Sequence, residues 1–501
     1  MNFSFTPFRV TPVDRMMPIC YITFFYSFRL EAPQRAVPIL ENALSHLLDA
    51  NHFLAGNVVV GITPSEDGRT NYHSIREVHP PTPDSLREFP PVLRVKRLEN
   101  QSIDEVSADA LLADGHLPIP PAMITAPVCP VIRWQANILD DGLVIAVSFH
   151  HSVFDGAGFV IVQAALAKCC RQPNPAARDV SLEASLMKGR HRLQGTTTSV
   201  TSTGRSAADP PGDRRRLQTL KTATFETAEG LISRRLRLRP ATIESLKKSC
   251  DAFVRRRRCY RSPWKPQPPP LLSSNDIITA LLWLTIVRAR YGHQHPEPKD
   301  SDPALSALIL LTEIRRTVVP PVPLSYVGNG VVPPITTTPR EPILASMPSN
   351  NNNHNNISWQ HYPPMTAGVS TPSELRVLSD LALNVHATRL GVDDVYIKAL
   401  IREKEDSGDW SSTFKQGDIT LTSCRRMGMY GLDFGSVLGP VVDFDQAENR
   451  NDGTVCILPA RAGAQCLVEA RVALPLEAMR RLLRDPLMCE VMGEGASLPR
   501  L

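Results

Sequence analysis

Over residues 35–50, Leu40, Ala43, Leu44, Leu47 and Leu48 recur at the helical period, and residues 58–60 follow as a short buried strand, so the chain opens strand, helix, strand. Residues 131–139 alternate and then continue apolar, Asp140, Asp141 and Gly142 supply a turn, and residues 143–149 are a second, β-branched run. Together they read as a hairpin that delivers the chain to His150. A short polar loop comes next, and residues 159–170 are then apolar almost all round, as expected of a helix buried against a sheet. Between 185 and 216 the period disappears into Thr, Ser, Gly, Arg and Pro, a composition that buries too little surface to offset the entropy of ordering. The interdomain crossover is placed there.

A second half begins near Phe225. Residues 231–238 read as a strand and 242–253 as a helix with Ile243, Leu246 and Cys250 on one face, before a Pro-rich interruption over 255–271. Residues 276–291 form a strongly apolar helix that Ser274 or Asn275 would cap, and 304–312 a strand leading to Glu313. The asparagine-rich stretch 349–356 is a low-complexity loop; 373–404 is largely helical, 420–423 and 454–459 are strands, and 475–484 is a helix with Pro475 in its first turn. Both halves are mixed α/β.

Composition narrows the function classes. At 501 residues and 42% apolar, the chain is too long for one core. A net charge of +5 from 55 basic and 50 acidic residues is a slight excess on a large surface, so no nucleic acid is expected as partner. Ten cysteines are far too few for a disulfide scaffold, and adjacent Cys169 and Cys170 lie within a helical apolar run, which points to a reducing, cytoplasmic setting. The most apolar early run, 16–25, is interrupted by Pro18, so no segment is expected to span a membrane or direct secretion. The 45 prolines cluster, which implies several long or stiff loops. Neither cysteines nor histidines fall into CxxC or HExxH spacing, so no metal site is expected, and the absence of GxSxG argues against a serine hydrolase.

The strongest chemical signal is the string His150, His151, Ser152, Val153, Phe154, Asp155, Gly156 between a strand end and a helix start. A histidine there can be aimed into a cleft, and its near-neutral pKa suits it to take a proton. Asp155 and Gly156 can form a tight turn in which the carboxylate folds back to fix the loop, with Gly156 tolerating a positive φ. Taken alone, the spacing is also that of two histidines and an aspartate capping a helix.

The full string resembles the HHxxxDG motif of coenzyme A-dependent acyltransferases related to chloramphenicol acetyltransferase, which include BAHD acyltransferases and peptide-synthetase condensation domains. Residues 433–440, beginning Asp433, Phe434, Gly435, resemble the DFGWG-like segment of the BAHD branch. More of the chain resembles its fungal trichothecene 3-O-acetyltransferase-like subgroup: Thr11, Pro12, Val13, Asp14; Leu54, Ala55, Gly56; Ser274, Asn275, Asp276; Gly328, Asn329; Glu313, Ile314, Arg315; and Asp452, Gly453, Thr454, Val455. The likeness spares the insertions 186–216, 255–271 and 340–368. It also has departures, with Ser436 and Val437 replacing the tryptophan and second glycine of DFGWG, Thr317 ending the DxRxR element and Cys424 standing where tryptophan is frequent.

The resemblance implies an α/β, two-domain chloramphenicol-acetyltransferase-like fold in which each half is a mixed sheet flanked by helices and the active site lies at their interface. The domains are expected at 1–185 and 225–501, joined by a flexible crossover at 186–224. His151 would be the general base, with Asp155 directed away from substrate and paired with Arg315, chosen over Arg316 by spacing. His150 and Gly156 would support the motif. Asp433, Phe434 and Gly435 read as a structural turn with Phe434 as packing anchor, and Thr422 or Ser423 are candidate oxyanion or substrate contacts. The basic run 255–258 reads as a solvated loop ahead of a coenzyme A phosphate contact. The implied activity is transfer of an acyl group, acetyl by default, from acyl-coenzyme A as cosubstrate to a hydroxyl, or an amine, of a small secondary metabolite. A monomer without a permanently bound cofactor is expected. The rival readings are a condensation-type enzyme using carrier-bound thioesters and a catalytically silent member that binds a metabolite.

Overall fold

The computed structural model describes residues 3–64, 70–106, 116–120, 123, 126–171, 180–194, 230–261, 271–292, 304–347, 371–408, 410, 417–447, 451–461 and 467–493. In chain order the strands are Phe8–Arg9 (β1), Tyr21–Arg29 (β2), Asn57–Pro64 (β3), Thr70–His79 (β4), Leu93–Arg97 (β5), Val128–Pro130 (β6), Ile132–Ile138 (β7), Gly142–His150 (β8), Leu231–Leu238 (β9), Leu305–Leu310 (β10), Thr312–Glu313 (β11), Val331–Val332 (β12), Ile335–Pro339 (β13), Ile419–Ser423 (β14), Asp443–Gln446 (β15), Thr454–Ile457 (β16) and Val468–Pro475 (β17). The α-helices are Pro12–Met16 (α1), Ala36–Ala50 (α2), Pro83–Glu88 (α3), Gly156–Arg171 (α4), Glu183–Gln194 (α5), Pro240–Arg261 (α6), Ser274–Tyr291 (α7), Arg340–Ala345 (α8), Pro372–Leu390 (α9), Asp394–Ser407 (α10), Leu476–Leu482 (α11) and Pro486–Met492 (α12).

The predicted hairpin is β7 and β8, paired antiparallel from Ile132 opposite Phe149 to Ile138 opposite Leu143. Both strands are buried along their whole length; β8 accordingly runs mostly apolar, whereas β7 alternates and buries the polar Arg133, Gln135 and Asn137 on its second face. They lie inside a five-stranded sheet of order β15-β2-β8-β7-β5, in which β2 pairs with all of β8 from Tyr21 opposite His150 to Arg29 opposite Gly142. A four-stranded sheet, β1-β4-β3-β6, joins the same half. Helices α2 and α4 pack together. Phe159 of α4 meets Phe149 and Phe24 with ring centroids 5.3 and 4.9 Å apart. The second half is built on a six-stranded sheet, β13-β10-β14-β16-β17-β9, with β10, β14 and β16 parallel, against which the almost wholly buried α7 packs.

Several boundaries differ from the sequence expectation. The crossover does not begin at 186: α5 runs to Gln194 and buries Leu186, Gly189, Arg190 and Leu193, a helix too polar overall for its short apolar stripe to stand out. Residues 195–229, and the loop 349–356, lie outside the described residues. The insertion predicted from 255 is likewise later, because α6 continues to Arg261; Arg257 pairs with Asp380 of α9, so this basic run sits on a helix and not in a solvated loop. Helix α7 is capped by Ser273, one residue before the expected caps, in a capping box with Asp276. The helical stretch predicted over 373–404 is two helices, broken between Leu390 and Asp394.

The division at residue 225 also needs correcting for packing. Residues from 314–332, 392–401 and 424–444 pack into the hydrophobic core of the first half, alongside the residues of β2, β7, β8 and α4. Strand β15 pairs with β2, and its Phe444 lies 5.1 Å from Phe24. Periodicity reports the type of an element, not the sheet that receives it. Among the described residues no helix is long and apolar enough to cross a membrane.

Candidate active site

His150 and His151 leave β8 as neighbours and have opposite surroundings. His150 is buried, packs edge-on against Tyr21 at 5.4 Å, and accepts the Ser152 N–H at Nδ1 over 3.2 Å. Burial, helped by the Arg76 and His151 charges, pushes its pKa down to about 3, so it is neutral at pH 7. His151 is only half-buried. Its Nδ1 lies 3.0 Å from the Phe154 carbonyl oxygen. A carbonyl only accepts, so Nδ1 carries the proton and Nε2 of the neutral ring keeps its lone pair. Burial lowers the pKa of His151, against opposing effects of the Phe154 carbonyl and the Asp155 charge.

Asp155 turns away from this ring. Its Oδ1 accepts the Gly158 N–H at 2.8 Å and its main-chain carbonyl accepts that of Phe159, which makes it the N-cap of α4. Arg315 NH1 and NH2 reach Oδ2 and Oδ1 of Asp155 at 2.9 Å each, and the Gly330 N–H adds a fourth bond at 2.8 Å. Both side chains are nearly inaccessible, at 4% and 2%. Burial works against the Arg315 charge, and Asp155 more than offsets it, holding its pKa above the ordinary value. Arg315 also donates to the Gly328 carbonyl at 2.7 Å, while Arg316 is exposed.

Gly156 is the first residue of α4 and does not use the positive φ that a glycine tolerates. Its smallness serves approach: a Cβ there would stand 3.0 Å from Met427 Sδ and 3.8 Å from Cys424 Sγ. Gly158 has no such latitude, since a Cβ would come 1.8 Å from the Val327 carbonyl oxygen.

The structure separates the remaining candidates from the 150–155 loop. Asp433 bridges Pro440, its carboxylate accepts the Gly435 N–H at 2.9 Å, and Gly435 has φ of 93°. Phe434 is buried between Phe28 and Tyr26, at 5.0 and 5.8 Å. Arg171 at the end of α4 donates to the Asp433 carbonyl. This segment is a turn anchored by a ring. Thr422 and Ser423 end β14; Ser423 Oγ donates to Asn275 Oδ1 at 2.9 Å, and among the described residues neither bonds to the 150–155 loop. The residues just after them, Cys424 and Met427, are the ones that reach Gly156.

Sequence reasoning left three polar partners of the loop without a role. Asn329 Nδ2 donates to the His151 carbonyl at 2.8 Å, Arg76 NH1 to Ser152 Oγ at 2.8 Å, and Asp14 Oδ1 receives Asn329. Two of them belong to motifs visible in the chain, the Gly328-Asn329 pair and Thr11-Pro12-Val13-Asp14. Among the described residues no cluster of three or more His, Cys, Asp or Glu groups is placed to hold a metal ion.

The model of the transferase family matches residues 92–343, about half of the chain and including both His151 and Arg315. The chain belongs to this family, that of the BAHD acyltransferases. Its curated relatives include O-acetyltransferase ptmV of Penicillium ochrochloron, 27% identical over 500 residues and 96% of each chain. Fumigaclavine B O-acetyltransferase easN of Aspergillus fumigatus is 26% identical over 523 residues and 99% of each. The fold matches F. sporotrichioides TRI101, complexed with coenzyme A and T-2, at a TM-score of 0.66 and 17% identity over 96% of this chain and 97% of that one. It matches vinorine synthase at 0.58 and 14% over 98% and 96%. The mixed α/β architecture of this acyltransferase, sheets flanked by helices, is therefore that of BAHD enzymes, and its chemistry is acyl transfer other than aminoacyl transfer.

Proposed function

We propose that this acyltransferase moves an acyl group, acetyl by default, from acyl-coenzyme A to a hydroxyl of a small secondary metabolite, with His151 as general base. The observation that carries the reading is the hydrogen bond from Nδ1 to the Phe154 carbonyl, which leaves Nε2 free to accept a proton at neutral pH. Nε2 takes the hydroxyl proton as the oxygen attacks the thioester carbonyl and the new C–O bond forms. The tetrahedral adduct collapses with cleavage of the C–S bond, and the departing thiolate recovers the proton from Nε2. Ester and free coenzyme A are the products, and no acyl-enzyme is required. Holding both substrates beside one base supplies acceleration by proximity. Asp155 and Arg315 fix the loop and do not relay protons. The O-acetyltransferase names of the relatives and the coenzyme A bound in TRI101 support donor and acceptor classes.

The test is release of free thiol from acetyl-coenzyme A, in parallel with an acetylated carrier protein, across an alcohol panel that includes fumigaclavine B and deoxynivalenol. Thiol release from acetyl-coenzyme A that depends on alcohol and on His151 is expected. Turnover only with the carrier would make the protein a condensation-type enzyme, and none with either a silent binder.

A further inference from the structure

Asn329 is completely buried, in the coil between Arg315 and β12, and its amide lies between two separate stretches of the first half. Nδ2 donates to the His151 carbonyl at 2.8 Å and to Asp14 Oδ1 at 2.9 Å, and the Asn329 main-chain N–H donates to that same oxygen at 2.9 Å. The other oxygen of Asp14 accepts the N–H and hydroxyl of Thr11 at 2.8 and 2.7 Å. Asp14 thus takes four bonds from two neighbours and cannot follow Asn329 if it moves.

His151 is held at both main-chain atoms as a result. Its N–H donates to the Cys20 carbonyl at 2.9 Å, and its carbonyl receives Asn329. The ring bond to Phe154 lies within the same short loop, so it fixes the orientation of the ring but not the depth of the loop. At His151 itself depth is set from outside, by Cys20 on one side and by the Asp14–Asn329 pair on the other, while Arg76 holds the next residue, Ser152, and Arg315 the far end of the loop at Asp155.

We propose that Asn329, held by Asp14, is a positioning residue that sets where His151 presents Nε2. The idea rests on His151 being the base. Removing Nδ2 strips a donor from the His151 carbonyl and from a buried carboxylate oxygen together. Both then seek other partners, which displaces the loop. A misplacement of ~1 Å costs about 100-fold in rate where geometry is the source of catalysis.

The experiment compares Asn329→Ala, Asn329→Ser, His151→Ala and the Asn329→Ala/His151→Ala double variant, using thiol release from acetyl-coenzyme A with the best alcohol of the panel. The serine variant retains a donor in a smaller side chain and guards against a failure of the alanine variant to fold. The expected result is a fall in kcat of about 10- to 100-fold. KM for both substrates should stay within about threefold, and the double variant should be no slower than His151→Ala. In a crystal structure of Asn329→Ser, the His151 ring should be displaced or split between positions. Wild-type kcat, a loss confined to KM, an additive double variant or an unmoved ring would each overturn the proposal. Failure of the reading it rests on is recognised separately, by no thiol release from the wild-type protein or by full activity of His151→Ala, and the ring position then still decides whether Asn329 sets it.

Discussion

Neutralising Asp155 isolates the contribution of the buried ion pair. In Asp155→Asn the side chain keeps its shape, but one oxygen becomes an amide nitrogen that must face donors, since the carboxylate receives Arg315 twice and the Gly158 and Gly330 N–H groups. Arg315 then keeps only Glu313 as countercharge, at 3.2 Å and with a side chain 49% exposed to water. Removing one member of a buried pair typically costs 3–5 kcal/mol, roughly, because the other charge stays buried. For a cooperative unit of some 150–250 residues, each kcal/mol lowers Tm by about 2–4 °C, so a fall of about 10 °C is expected. Thermal unfolding followed by far-UV circular dichroism measures it, with turnover assayed well below the transition. Arg315→Gln should be comparably destabilised, and the double variant should lose less than the sum of the two, since it leaves no charge unpaired. Wild-type Tm together with lost turnover would refute this reasoning and move Asp155 into the chemistry.

His151→Ala should lower kcat by about 10²- to 10⁴-fold with a native circular dichroism spectrum and little change in Tm; wild-type turnover would remove it as base. Because burial lowers the His151 pKa, the acid limb of kcat/KM should lie below about 6.5, with activity full above it and lost as the ring protonates; an acid limb above 7 counts against the assignment. Burial first, and then the Arg76 and His151 charges, hold His150 near 3, so between about pH 6.5 and 3 the unfolded chain binds a proton that the folded chain refuses. Stability should therefore fall on acidification through that window, by up to about 1.4 kcal/mol per pH unit from this group. His150→Asn, which keeps an acceptor for the Ser152 N–H, should flatten that dependence in urea unfolding at pH 7 and 4.5. Gly158→Ala should lose soluble protein because its Cβ meets a main-chain oxygen, whereas Gly156→Ala meets a flexible methionine and should fold; equal yields would contradict the packing argument.

Strand β8, α4 and α7 were legible in the sequence because their burial shows as apolar composition, and β7 because its residues alternate, although its polar face is buried too. Helix α5 was not, since a mostly polar helix with four buried positions looks like the polar crossover beside it. The path of β15 was also hidden. Its four residues carry two aspartates, and it belongs to the first sheet through long-range pairing with β2 and through Phe444, neither of which leaves a periodic trace. The two aspartates are met by Arg235 and Arg471, which reach across from β9 and β17 at 2.6 to 3.3 Å. A strand that charge would place at a surface is in this way kept between the two halves.

At the candidate site, the motif string marks the loop, but it does not by itself distinguish the surroundings of the two histidines. The distinction depends on two local hydrogen bonds of opposite sense: the Ser152 N–H gives to Nδ1 of His150, and Nδ1 of His151 gives to the Phe154 carbonyl. The first occupies the lone pair of a ring already sealed against Tyr21; the second frees a lone pair on the opposite nitrogen of a ring near the surface. Both follow from where β8 stops. One residue of extra strand would move His151 into the sheet and its carbonyl away from Asn329, so under the proposed mechanism the strand end, bonded to Cys20 on one flank and to Asn329 on the other, selects the base. Chain positions 20, 151 and 329 have no local pattern in common, and they become one device only when both halves of the protein are folded together.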